Sequence, residues 1–343
     1  MVPKSNDHGC NDLNEELAKL IENRSKRVLA KFGKVTVSQV TDSRLLAAIE
    51  DVKKYWRDFN RPTLTSFSCE AVGGEPEEAE DAGLMFTLAS AGFGIHDDIL
   101  DRSSNKHLRM TILGLHGIDT ALLVGDLFIV KAWTIAHEMF RRASNPMKIA
   151  EVLKTYGNLS VEICEAEFME TLCRRRVDTE LEYYETILWK EMAETEACCR
   201  IGAMMGDAKN GEIEILAEFG RRIGFISRLA NEVEDCLNLK GDLLHRIEYE
   251  SLPLPLLYAA KSSPQESVKI KRVLAKKHLV PGDVKLLLEL CFQTEAFEYV
   301  KNLAKKNEAE ATCLIEALKP SKARGVLALL VERAYAHVEG LCI

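Results

Sequence analysis

Apolar residues recur at every third or fourth position along nearly the whole chain, and that spacing predicts helix after helix. Residues 11–30, NDLNEELAKLIENRSKRVLA, show it first. Residues 77–101, EEAEDAGLMFTLASAGFGIHDDILD, open with an acidic turn that suits a helix N-terminus and read as one long helix. The same period carries through 118–142, 147–175, 179–206 and 211–240, and shorter helices are expected over 253–343. Strand-like alternation is nearly absent. Gly73-Gly74, Pro146, Gly206, Pro253, Pro255, Pro281 and Pro320 separate the segments. With no composition break and no short repeat, the pattern predicts an all-α protein. A single large helical domain is expected over residues 11–343, after a flexible start over 1–10.

The composition is that of a globular chain: 343 residues, 47% hydrophobic and 29% charged. A net charge of −8 argues against nucleic-acid binding through overall basicity. The ten cysteines form no CxxC pair and sit mostly at apolar helical positions, so they are expected to be reduced core residues. The polar start, MVPKSNDHGCNDLNEEL, predicts no leader peptide, and no run of ~18 uninterrupted apolar residues predicts a spanning helix. A cytoplasmic location follows as an expectation.

Against this background Ile95-His96-Asp97-Asp98-Ile99-Leu100-Asp101 stands out, with three carboxylates inside an apolar segment. On a helix Asp97 and Asp101 are four apart and share a face, where they repel unless a cation lies between them. Oxygen ligands with open positions suit Mg²⁺, which keeps several waters and takes phosphate oxygens. A solvated acidic face fits the same spacing. A second patch, Asn231-Glu232-Val233-Glu234-Asp235, again sets two oxygen donors four apart. Facing helices could clamp a metal–diphosphate cluster, and Arg61, Lys106, Arg109, Lys190, Arg228 and Arg246 are the cations placed to meet phosphates.

Taken in order, these pieces resemble the trans-isoprenyl diphosphate synthase (polyprenyl synthetase) family over residues 61–260. Arg61-Pro62 with EAVGG at 70–74 resembles its RP element, and HDDILD at 96–101 its first aspartate-rich motif. Gly125-Asp126-Leu127 resembles its GD element, and Lys190 with Ala193 and CCRIGA at 198–203 its KTA helix. Gly224 to Asp235 resembles the second aspartate-rich region, and GDLLHR at 241–246 with SLPLPLLYA at 251–259 the tail that follows. The resemblance implies the isoprenoid synthase fold, a helical bundle around a deep apolar pocket, and a homodimer joined through helices near 118–142. It also implies three Mg²⁺ ions at the mouth, an allylic prenyl diphosphate of C10 to C20 that ionises there, and isopentenyl diphosphate or another acceptor. Asp97, Asp101, Asn231 and Asp235 would then be metal ligands, with Asp98 in support. Lys190, Arg61, Lys106, Arg109, Arg228 and Arg246 would face diphosphate. Ala89, Gly92 and Phe93, eight, five and four residues before Asp97, would line the pocket wall. Helix–helix packing through small residues is the other reading of Ala89 and Gly92.

The departures concern the second substrate. Arg57-Asp58-Phe59-Asn60 stands where the family has GK before its RP, Ser90 at its His, and Lys106-His107 at its RR. Asn231-Glu232-x-x-Asp235 replaces DDxxD, Ser227-Arg228 replaces Phe-Gln, Glu191 replaces Thr, and Glu248-Tyr249 replaces the last GK. An acid in place of Lys at 58 weakens a dry diphosphate site twice over, by losing attraction and adding repulsion. Three functions remain open. The first is a prenyltransferase with a modified acceptor site, and the second a class I terpene synthase on the same scaffold. The third is a non-catalytic partner subunit of a prenyl diphosphate synthase. For the second, Leu239 cannot supply the metal ligand that terpene synthases place four residues after Asp235.

Overall fold

The computed structural model describes residues 7–106, 109–238, 242–276 and 278–342. Helices dominate: α1 (Asp7–Val35), α2 (Ser43–Tyr55), α3 (Asn60–Ala71), a 3₁₀ turn over Pro76–Ala79, α4 (Glu80–Leu100), α5 (Ile112–Arg142) and α6 (Pro146–Leu172). After them come α7 (Leu181–Glu191), α8 (Ala193–Met205), α9 (Asn210–Leu237), α10 (Asp242–Tyr249), α11 (Leu254–Ser262), α12 (Pro264–Leu274), α13 (Pro281–Gln293), α14 (Ala296–Glu316) and α15 (Lys322–Leu341). The all-α expectation holds. Among the described residues the strands are two residues each, β1 (Asn105–Lys106) and β2 (Arg109–Met110), paired antiparallel.

Three details differ from the periodicity. The segment 179–206 breaks at Met192 into α7 and α8. α5 begins earlier than expected but turns at Gly117, whose φ of 79° is open to glycine and strained for other residues. α14 and α15, of 21 and 20 residues, are not short. Of the flexible start expected over 1–10, residues 1–6 lie outside the described residues, and helix begins at Asp7.

The chain divides into two compact units. One comprises Met1–Leu153, Cys198–Ile213 and Lys319–Val326; the other comprises Lys154–Ala197, Glu214–Leu318 and Leu327–Ile343. In the first, α4 packs along α5 through Gly92 and Gly125. A Cβ on Gly92 would lie 2.7 Å from Ile129 Cγ1 and 2.8 Å from the Gly125 carbonyl oxygen, and one on Gly125 would lie 2.4 Å from the His96 ring. Leu84, Met85, Phe86, Leu88, Ala89 and Ile95 on α4 are buried with Ala121, Val124 and Phe128 on α5. In the second unit Leu216, Phe219, Ile226, Leu229 and Val233 of α9 are buried, as are Ile187 and Leu188 of α7 and Leu254, Leu256 and Leu257 of α11.

α5 also carries an exposed apolar face: Ile118, Leu122, Leu123, Val130, Trp133 and Phe140. By length and composition it is the one helix among the described residues able to cross a membrane, with mean hydropathy 1.6 over its most apolar window, where none was expected. Asp119 and Asp126 interrupt that face, while Lys131 is buried and its ammonium donates to the Ser38 carbonyl at 2.5 Å.

Candidate active site

The first acidic motif sits where α4 stops. The Ser103 amide donates to the Asp98 carbonyl at 2.8 Å and the Arg102 amide to that of Ile99 at 3.2 Å. These are the two bonds of a Schellman cap, with Arg102 in the left-handed region at φ 57° where glycine is usual. The cap ends the helix so that Asp97 and Asp98 lie in its last turn and Asp101 at its C-cap. β1 and β2 then pair antiparallel, and α5 begins after Thr111, its N-cap. The Thr111 hydroxyl donates to the Ser103 carbonyl at 2.6 Å and accepts the Gly114 amide at 3.2 Å.

β1 carries Lys106 back to the aspartates. Its ammonium lies 2.8 Å from Asp97 Oδ2 and 3.0 Å from Asp98 Oδ1. Burial pulls the ammonium's pKa down, but Asp97, Asp98 and Asp101 outweigh it, and the pKa lies above the ordinary lysine value. Burial raises the Asp98 carboxyl, with Lys106 opposing. A lysine drawn between two carboxylates marks a position that favours a cation. Asp97 and Lys106 both remain about one-third exposed, at 36% and 33% of their side-chain surface. Among the described residues no three His, Cys, Asp or Glu side chains form a ready-made metal cage. Mg²⁺ does not require one, since it binds through one or two carboxylates together with waters and phosphate oxygens. The first motif therefore fits that ion.

Around it, the His96 Nε2 lies 3.4 Å from Asp126 Oδ1, joining the HDD segment to the GD element. Asp58 is buried, accepts the Arg61 amide at 3.1 Å and stands 3.5 Å from the Arg61 guanidinium. The Arg109 guanidinium stacks over the Tyr55 ring at 3.4 Å. Ala89 is fully buried and Phe93 half-buried, while Gly92 faces Ile129 and Gly125 of α5. The small size of Gly92 thus serves helix packing, the second of its two readings. Ser90, at the family's His position, is buried too. His107 lies outside the described residues.

The second acidic motif, in the other unit, has different surroundings. Asn231 is exposed on α9. Glu232 is fully buried and accepts Arg228 Nη1 at 2.6 Å, Arg246 Nη2 at 3.1 Å, the Leu254 amide at 2.6 Å and the Tyr184 hydroxyl at 3.3 Å. Burial works to raise its pKa, but the two guanidiniums and the amide prevail and hold it below the usual value. Asp235 Oδ2 is 2.5 Å from Arg246 Nη1. Arg246, only 5% exposed, also reaches Glu250 at 3.0 Å and the Tyr184 hydroxyl at 3.0 Å. Arg228 pairs with Glu191 at 2.6 Å. Burial pushes the Glu191 carboxyl up to about 7, against the pull of Arg228. Arg228 and Arg246, expected to face diphosphate, are paired with carboxylates of their own unit. Lys190 lies 2.8 Å from Glu165 on a more exposed surface. Leu239 lies outside the described residues. Tyr184, Ser251 and Glu170 complete this network, with Ser251 Oγ 2.8 Å from the Tyr184 hydroxyl and 2.5 Å from Glu170. No sequence motif pointed to Tyr184 or Glu170, and Ser251 was marked only as the first residue of the tail segment; the one local hint was Arg228 four residues before Glu232 on a helix.

The polyprenyl synthetase family model matches residues 58–291, a stretch that holds both motifs and the arginine network. The chain belongs to the polyprenyl synthetase family. A short chain isoprenyl diphosphate synthase of Methanothermobacter thermautotrophicus is 29% identical over 311 residues, covering 87% of this chain and 91% of that protein. A geranylgeranyl diphosphate synthase of Methanosarcina mazei is 25% identical over 253 residues, 71% of this chain and 74% of that one. In fold, the chain is similar to a geranylgeranyl pyrophosphate synthetase from Pyrococcus horikoshii, with a TM-score of 0.83 at 24% identity over 94% of this chain and 98% of that one. It is also similar to a polyprenyl synthase from Caulobacter crescentus solved with calcium and isoprenyl diphosphate, with a TM-score of 0.80 at 18% identity over 92% and 96%. The polyprenyl synthetase chain thus has the isoprenoid synthase fold, and its family supports a reaction of the prenyl diphosphate synthase type.

Proposed function

We propose that the protein is a Mg²⁺-dependent prenyltransferase that ionises an allylic prenyl diphosphate of C10 to C20 and transfers the prenyl group to an acceptor through a modified isopentenyl diphosphate site. The observation that carries this is the intact HDDILD segment, which ends α4 with a lysine seated between Asp97 and Asp98. A regulatory subunit has no need of that arrangement. Bound Mg²⁺ would supply charge neutralisation of the leaving diphosphate. Asp97 and Asp101 would hold it, and Asp98 would keep Lys106 close by. Lys106, displaced from Asp97, would turn its ammonium onto a phosphate oxygen. Arg61 and Lys190 are further candidate partners for phosphate charge, and residues 11–343 would serve as one catalytic domain. A homodimer would cover the exposed apolar face of α5, a reading supported by Ile118, Leu123 and Val130 in water on an isolated chain.

A terpene synthase is the second reading, favoured by Asp58. Its buried carboxylate beside Arg61 offsets the charge that an incoming isopentenyl diphosphate would meet. The deciding experiment is incubation with Mg²⁺ and dimethylallyl, geranyl, farnesyl or geranylgeranyl diphosphate, with and without isopentenyl diphosphate. Products are read by mass spectrometry beside an Asp97→Ala/Asp101→Ala control. Longer diphosphates formed only with isopentenyl diphosphate support the proposal. Hydrocarbons or alcohols from an allylic substrate alone support the second reading, and no turnover of any substrate refutes both.

A further inference from the structure

Both acidic motifs carry a cation on their carboxylates, but the two cations are held differently. Lys106 stands on β1, one-third exposed, with a single flexible stem and a compact charge. It can leave Asp97 when a stronger cation arrives and still reach water. Arg246 cannot. Its planar guanidinium is 5% exposed and bonded to Asp235, Glu232, Glu250, Tyr184 and Ser251 together. Turning it away from Asp235 would break that set or leave its charge buried and unpaired. Arg228 is fixed likewise by Glu191 and Glu232.

The donors left over at the second motif are poor. Glu232 is fully buried, with Oε1 on both arginines and Oε2 on the Leu254 amide and the Tyr184 hydroxyl. Asp235 retains Oδ1, but its other oxygen is 2.5 Å from Arg246. A divalent ion on Oδ1 would share one carboxylate with a guanidinium and be repelled by it. Asn231 offers a neutral amide oxygen. The first motif instead holds three carboxylates against a cation that can move.

We infer that the second acidic segment of this chain is an internal ion-pair lock and not a metal clamp, and that divalent metal is held through Asp97 and Asp101 on α4 alone. The inference rests on the metal-dependent reading above. It predicts fewer bound ions than the three that the family resemblance implies. Arg246, which ties α9 to α10 and Ser251, and Arg228, which ties α9 to the end of α7, become positioning residues rather than groups that touch substrate.

The test counts Mn²⁺ bound per full-length chain with inorganic pyrophosphate, from the electron paramagnetic resonance signal of free Mn²⁺ across a dialysis membrane. The wild type is expected to bind fewer than three ions. Asp97→Asn/Asp101→Asn should weaken binding at least tenfold. Asn231→Ala, at an exposed helix position, should leave the count unchanged and the affinity within about threefold. Asp235→Asn should do the same if it folds; if it does not, Asn231→Ala decides alone. Loss of an ion, or tenfold weaker binding, in either second-motif variant overturns the inference while leaving the enzymatic reading intact. A wild type that binds no Mn²⁺ with pyrophosphate overturns both.

Discussion

Replacing Glu232 by Gln removes one charge from a buried ion-pair network of the second unit. The carboxylate is fully buried and receives two guanidiniums, a backbone amide and a phenol hydroxyl. A glutamine keeps the outline but offers one oxygen for those four donors, and its amide nitrogen would face another donor. Breaking a buried ion pair by removing one partner costs about 3–5 kcal/mol, because the other charge stays buried. Against a typical total of about 5–15 kcal/mol, that is a large share of the stability. For 343 residues unfolding together it lowers Tm by about 4–7 °C. Urea unfolding and calorimetry of Glu232→Gln should therefore show a clear loss, while Glu165→Gln, which removes the exposed partner of Lys190, should stay within ~1 kcal/mol of wild type. A Glu232→Gln loss below about 1 kcal/mol, or one no larger than that of Glu165→Gln, would refute the ion-pair lock.

Three further outcomes follow from the same geometry. Gly92→Leu should cost about 1–3 kcal/mol by driving a side chain into Ile129 and the Gly125 carbonyl, even after the ~1 kcal/mol that a better helix former returns; an unchanged Tm with shortened product would return Gly92 to a pocket wall. Glu191 holds its proton to about pH 7 in the folded chain against an ordinary value of 4.5, so the folded state binds more protons in between, and stability should fall as pH rises through that window, by on the order of 3 kcal/mol. Thermal melts from pH 4.5 to 7 check this, since Glu191→Gln should flatten the slope and an identical slope in both proteins sinks the assignment. Asp58→Asn keeps an acceptor for the Arg61 amide but removes the charge 3.5 Å from its guanidinium. It should lower KM for isopentenyl diphosphate about tenfold, the equivalent of ~1.4 kcal/mol, with kcat little changed; an unmoved KM means that Arg61 does not meet that substrate.

Much of the fold was legible because helical periodicity is a local property. The stripe through 77–101 contains α4, which runs from Glu80 to Leu100, and the position of Asp97 in its last turn and of Asp101 at its C-cap follows from it. Their cap was not legible: Arg102, not glycine, takes the left-handed position, and its strain is carried by bonds visible only in three dimensions. Gly92 shows a similar limit. The sequence identified a small residue on the helix, but the neighbour that needed the space, Gly125, lies 33 residues on.

What the sequence determined by itself was the all-α class, the helix that carries HDDILD, the family, and the list of charges that depart from it. These rest on spacing within one helix and on short ordered motifs. Tertiary structure alone decided which charges meet. Glu191 and Arg228 are 37 residues apart and Ser251 and Glu170 are 81 apart, so no local pattern pairs them. A buried arginine and a substrate-facing arginine are the same letter in the sequence. They differ only in whether folding has already surrounded the charge with carboxylates, because a desolvated cation must be paired from within the protein wherever water cannot reach it.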